Sequence, residues 1–123
     1  MAGTLTIGTL SDGTNSASAT DAIKGSARAW VNFNGVTTAT ILASYNVSSV
    51  TRNNTGNYTV NFTSALTDAN YAVTTCVEKA AGGYIPSASI NASFAPAAGS
   101  VRILTGSENL TNDRSYIHVA FFR

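Results

Sequence analysis

Charge is scarce in this 123-residue chain. Seven Lys+Arg and six Asp+Glu make up 11% of it, less than half of the ~25% of an average globular protein. The cations Lys24, Arg28, Arg52, Lys79, Arg102, Arg114 and Arg123 are spread along the whole length. Phosphate backbones are held by clustered cations, so we expect no nucleic-acid partner. Cysteine occurs once, at Cys76, and histidine once, at His118. A lone cysteine excludes an intramolecular disulfide framework and any structural zinc site built from four cysteines or from paired cysteines and histidines. No apolar run approaches the ~20 residues of a membrane span, and the first 25 residues lack a basic n-region and an apolar h-region. We therefore expect no membrane insertion and no signal peptide.

What is present is neutral hydrogen-bonding capacity: 43 of the residues are Ser, Thr or Asn. The 44% apolar content suffices for a packed core, and the length fits one domain. Helical spacing is hard to find, whereas Thr, Val, Tyr and Phe recur in alternating runs bounded by Asn, Gly, Asp and Ser. Residues 1–25 have the small, polar composition of an arm or attachment segment, with a short strand over Thr4 to Leu10 and a loop or extended connector over Ser11 to Gly25. From Ser26, Ala27, Ala29, Val31 and Phe33 alternate with Arg28, Trp30, Asn32 and Asn34. A second strand covers Ala39 to Val47, with Ile41, Ala43, Tyr45 and Val47 in phase. The tract Arg52 to Asn57 is a hairpin turn between Val47–Thr51 and Tyr58–Thr63. Tyr71, Val73, Thr75 and Val77 define a further strand, followed by strands over Ser87 to Phe94 and Val101 to Leu104. The last begins near Ser115, where Ile117, Val119 and Phe121 alternate with His118, Ala120 and Phe122. Short strands with regular turns predict an all-β antiparallel β-sandwich over residues 26–123, jelly-roll or lectin-like.

Catalytic patterns are thin. The acids are Asp12, Asp21, Asp68, Glu78, Glu108 and Asp113. Glu108 and Asp113 lie closest together, and they read as solvated turn residues rather than the paired carboxyls of a glycosidase. No G-x-S-x-G elbow accompanies His118, which reads as a hydrogen-bonded strand residue. Cys76 reads as a buried, unreactive thiol with nothing adjacent in sequence to activate it. Gly82-Gly83 lacks the Lys-Ser/Thr of a phosphate loop, and six Asn-x-Ser/Thr triplets are expected by chance in this composition. We expect no enzyme activity, no cofactor and no metal.

Several blocks in order, Ala29-Trp30-Val31-Asn32-Phe33-Asn34-Gly35, Ser44-Tyr45-Asn46-Val47-Ser48-Ser49-Val50-Thr51, Gly56-Asn57-Tyr58-Thr59-Val60-Asn61-Phe62-Thr63 and Asp68-Ala69-Asn70-Tyr71-Ala72-Val73, resemble a module of bacteriophage tail-fibre and short virion-fibre proteins. The resemblance covers roughly Thr9 to Val73, and the terminal YIHVAFFR is similar to that module's closing strand. Glu78 to Arg114 departs most. The resemblance implies a homotrimeric virion component that is made in the host cytoplasm and displayed on the tail or capsid exterior. Such a fibre or receptor-binding tip would attach to a bacterial surface polysaccharide, with its arm held by other virion proteins. The alternatives are a capsid decoration or head-fibre protein and a monomeric carbohydrate-binding module.

For receptor or glycan contact, the candidates are loop residues with amide, aromatic or charged groups: Arg52, Asn53, Asn54, Asn57, Tyr84, Glu108, Asn109, Asn112 and Arg114. Apolar residues on both faces of the last strand, with Trp30 on the outer face of the first, suggest burial against another copy. Trp30, His118 and Phe122 are the candidate trimer interface.

Overall fold

The computed structural model describes residues 3–79, 85–107 and 110–123. In chain order its elements are β1 (Thr9–Ser11), β2 (Ser16–Ser18), α1 (Ala19–Gly25), β3 (Ala27–Asn34), β4 (Thr40–Tyr45), β5 (Val47–Asn54), β6 (Asn57–Phe62), β7 (Ala72–Val77), β8 (Ser87–Ile90), β9 (Ser100–Ser107), β10 (Leu110–Thr111) and β11 (Ile117–Phe122). The chain is all-β and antiparallel, as its alternation predicts. One sheet runs β4-β3-β11-β7, and the other runs β10-β9-β6-β5 with β8 also paired to β9.

Between the two sheets lies one core. Ala29, Val31 and Phe33 of β3 and Ile117, Val119 and Phe121 of β11 face Tyr58, Val60 and Phe62 of β6 and Val101 and Ile103 of β9. Phe62, Tyr71 and Phe121 pack edge to face, with centroids 4.9–5.8 Å apart. Such contacts add to the area each ring buries. Tyr71 keeps its hydroxyl satisfied by donating to the Ala97 and Ser100 carbonyls.

The expected Ala39–Val47 strand is two strands in two sheets. Asn46 has φ 54°, a left-handed conformation that Asn tolerates better than most residues. There the chain leaves β4 and enters β5 of the opposite sheet. Its side chain fixes the corner: Nδ2 donates to the Arg28 and Ser64 carbonyls, and Oδ1 accepts from Ser64 N. A register shift between Asn32 and Phe33 leaves Leu42 unpaired, so Ile41 opposes Phe33 while Ala43 opposes Asn32 and Tyr45 opposes Trp30. Ile41 therefore faces inward, and Ala43 and Tyr45 face outward, out of the phase expected for them.

The arm is also more ordered than a connector. β1 and β2 pair through a turn in which Asp12 Oδ1 accepts from Thr14 N and Asn15 N. Ser18 then caps α1, accepting from Asp21 N while donating to the Asp21 carboxylate. Ser18-x-x-Asp21 is a capping-box signal that the small, polar composition masks. β8 stops at Ile90, short of the expected Phe94, because Asn91 Oδ1 accepts from Ser93 N and turns the chain. Leu110 and Thr111, expected in a loop, pair with Ser107 and Gly106.

Candidate functional site

Two regions compete for the role: the loops to which the sequence points, and the outer face of one sheet. The hairpin tip and the segment after β10 are brought together, as those candidates require. The joint is Asp113, whose carboxylate accepts from Arg52 Nε at 3.0 and 3.1 Å and Nη2 at 2.7 Å, Gly56 N at 2.9 Å and Tyr58 Oη at 2.7 Å. The Arg52 guanidinium, with help from Gly56 N–H and the Tyr58 hydroxyl, holds the Asp113 carboxyl down at about 2 against the opposing effect of burial. Burial first, then the hydrogen bond to Asp113, pushes the Tyr58 phenol well above its ordinary range. Tyr58 also donates to the Gly35 carbonyl. This is a structural knot, and it takes up Arg52, one of the groups expected to meet a receptor.

Arg52 gives its Nε and Nη2 donors to Asp113 and Thr55. Asn57 and Arg114 are buried, at 8% and 9% exposure, where the sequence reading places them on the receptor-facing surface. Asn57 sits at the start of β6, beneath the hairpin, and the Arg114 backbone is held under Gly35 N. Asn112 is half-buried and accepts from Thr105 Oγ1 through its carbonyl. Asn53 is exposed and donates to Thr59, and Asn54 is exposed. Tyr84, Glu108 and Asn109 lie outside the described residues.

The other region is the outer face of the β4-β3-β11-β7 sheet, where Trp30, His118 and Phe122 do share a surface. Cross-strand register sets two rungs: Ala43–Asn32–His118–Cys76 and Tyr45–Trp30–Ala120–Thr74. Phe122 is half-buried further along β11, opposite Ala72. Neither rung contains Lys, Arg, Asp or Glu. Ala120 and Ala43 are small beside Trp30, which opens a shallow groove of about 470 Å³ over this sheet. Trp30 is 39% exposed, so part of its ring is open to a ligand. Asn32 Oδ1 is buried and has no hydrogen-bond partner. An orphaned buried acceptor costs about 1–3 kcal/mol.

Cys76 is exposed on this face, not buried as its strand position suggests. Its alternation partners Val73, Thr75 and Val77 take the inward side, and the register puts His118 beside it. Among the described residues no group of three or more His, Cys, Asp or Glu could hold a metal ion. The described carboxylates are engaged elsewhere: Asp12 in its turn, Asp21 at the cap, Asp68 with Arg123, Glu78 with Ser115 N and Asp113 with Arg52.

The opposite outer face is different. Ser49, Thr51, Thr59 and Asn61 stand on β5 and β6, and they partly bond one another: Asn61 Nδ2 donates to Ser49 Oγ at 3.0 Å and Asn53 Nδ2 to Thr59 Oγ1 at 2.9 Å. Beyond them Arg102 lies 3.5 Å above the Phe94 ring.

Sequence reasoning misses Asn32, Thr74, Ala120 and Tyr45 as neighbours, because they come from four strands whose register no local pattern reveals. Among the described residues no helix is long and apolar enough to cross a membrane. Comparison of the chain with protein-family models, with curated proteins and with solved structures finds no match.

Proposed function

We propose that this chain is a bacteriophage virion attachment protein, a homotrimeric tail fibre or receptor-binding tip that adsorbs to a bacterial surface glycan. The observation that carries the reading is the exposed aromatic groove free of charged residues, on a rigid sheet rather than on a mobile loop. The phage assignment itself rests on the sequence blocks from Ala29 to Val73. A neutral aromatic face with amide and hydroxyl neighbours suits uncharged sugars, and three weak sites on one tip give avidity far beyond one.

The first 25 residues serve as the anchor toward other virion proteins. Leu5, Ile7, Leu10 and Ile23 are all exposed there. A two-stranded hairpin with a seven-residue helix is too small to be stable alone, so a partner surface for it is physically expected.

The test is adsorption. Purified chain at saturating concentration is expected to compete with the phage for host cells, and unchanged adsorption refutes the reading. Sedimentation equilibrium adds the assembly state: three chains of 12.7 kDa give about 38 kDa for a closed trimer.

A further inference from the structure

We infer that Thr4 to Ile7 form a strand that one copy of this chain adds to the free edge of β4 in a second copy. This joint goes beyond the attachment reading, which calls for several copies without saying what holds them together.

The arm supplies the added strand. Thr4-Leu5-Thr6-Ile7 alternates hydroxyl and apolar side chains, the pattern of a half-buried strand. Yet among the described residues its backbone makes no hydrogen bond, and Leu5 is 81% and Ile7 39% exposed. The arm's own pairing starts beyond it, where Gly8 O accepts from Ala19 N and Thr9 meets Ser18. From there to Ser26 the side-chain hydrogen bonds are local, and none ties the arm to the sandwich that follows it.

The receiving edge is β4, which pairs only with β3. Thr40–Tyr45 contains no charge, proline or glycine, whereas natural edges use charge and proline to turn away a further strand. Ser44 shows that this edge is open. It opposes Val31 and shares its inward direction, yet it is exposed while Val31 is buried. The other edges are occupied or short. β7 has β8 beside it, with Thr75 Oγ1 donating to the Ala88 carbonyl, β5 carries Arg52 bound to Asp113, and β10 has two residues. An added strand with Leu5 and Ile7 inward covers Ser44 and Ile41, and Thr4 and Thr6 of the added copy then stand outward beside Ala43 and Tyr45. Backbone pairing supplies affinity and side-chain alternation supplies register. A second copy joined at this edge leaves the groove beside Trp30 open, whereas a copy laid face to face would cover it. Leu10 and Ile23, on β1 and α1, stay exposed for other virion proteins.

Hydrogen exchange of the full chain, read by peptide mass spectrometry beside sedimentation equilibrium over a range of concentrations, tests the joint. Residues 4–7 and β4 are expected to be protected together whenever the chain is associated, and to exchange fast in any monomer. Leu5→Lys combined with Ile7→Lys removes the apolar side of the added strand, and Ser44→Lys points a charge into the inward side of the edge. Each should lower the association constant about tenfold or more and return both segments to fast exchange. Thr51→Ala, on the opposite sheet, should change neither. All four positions are exposed in the single chain, and circular dichroism verifies that the variants fold. The proposal is overturned if the chain is monomeric throughout, if it associates with both segments unprotected, if both are protected in a monomer, or if the variants associate like the parent. Association that protects the strands around Trp30 and His118 and leaves the arm fast-exchanging assigns the contact to the outer face instead. Adsorption separates this joint from the attachment reading. A chain that competes with phage while its arm exchanges freely keeps its attachment role and loses the joint, and a chain with a protected arm that does not compete keeps the joint and loses the attachment role.

Discussion

Replacing Asp113 by Asn perturbs the most connected side chain among the described loops. The carboxylate joins Arg52, Gly56 and Tyr58 in one cluster, with side-chain exposures of 24% for Arg52 and 18% for Asp113. A carboxyl that titrates at about 2 in the fold and at an ordinary 3.8 in the unfolded chain contributes about 2 kcal/mol from linkage. Because the folded value is the depressed one, this stability is fully present above pH 4 and is lost as the pH falls toward 2. Asp113→Asn keeps the shape and removes the charge, so at pH 7 it should cost about 2 kcal/mol. Asp113→Ala also strands the Gly56 N–H and a half-buried guanidinium and should cost about 3 kcal/mol or more. Urea denaturation of parent and Asp113→Asn at equal protein concentration, at pH 7 and again near pH 2, measures both. The gap between the two proteins should close at the lower pH, a comparison in which Asp68 and Asp12 cancel. A gap equally wide at both values, or a cost at pH 7 below about 0.5 kcal/mol, refutes the assignment of Asp113 as the charged centre of this cluster.

Three other outcomes follow from packing. A methyl group on Gly35 would overlap the Tyr58 phenol, which is fully buried and hydrogen-bonded to both Gly35 O and Asp113. Gly35→Ala should therefore cost about 2 kcal/mol or more in denaturant melts, and a neutral result means that the Tyr58 ring is free to shift. At the sheet-to-sheet corner, Asn46→Ala should cost about 2 kcal/mol while Asn46→Gly costs less, since glycine keeps the positive φ and loses only the bonds to Arg28 and Ser64. Equal losses would show that the φ value contributes nothing. Cys76 should react with a disulfide reagent in the native protein as readily as in denaturant, because it is exposed. Protection in the native state would place it in a covered interface.

Local alternation made most of the sandwich legible. β3, β6, β7 and β11 fall where period-two patterns put them, and the inward sets Ala29/Val31/Phe33 and Ile117/Val119/Phe121 are the core that the sequence suggests. The failures share one cause, which is that register and corners are tertiary. Ile41 and Tyr45 sit four positions apart, in phase, yet an unpaired Leu42 sends them to opposite faces. Val47 continues the same apolar run as β4, yet the left-handed Asn46 delivers it to the other sheet. Two of the loop candidates, Asn57 and Arg114, are buried for a related reason. Arg52, Asn57 and Arg114 are polar residues near turns, which is how receptor contacts look in one dimension. It is also how the buried polar groups that tie two loops together look, and only the arrival of Asp113 at Arg52 tells them apart.

The alternation that builds the core also builds the groove. Along β11, every inward side chain is large and fully or nearly buried, so His118 and Ala120 have no choice but the opposite side. Small Ala120 beneath exposed Trp30 contributes almost nothing to stability, yet it sets the depth of the groove. Asn32, between inward Val31 and Phe33, is likewise fixed in direction by its neighbours and pays for its position with an unanswered acceptor. Local propensity and packing explain Val31 and Phe33 completely. They leave Asn32 unexplained, because an apolar residue at that outward rung would cost no orphaned acceptor. An unanswered acceptor one rung from the only tryptophan, on rungs without Lys, Arg, Asp or Glu, is therefore the feature of this sandwich that folding alone does not require.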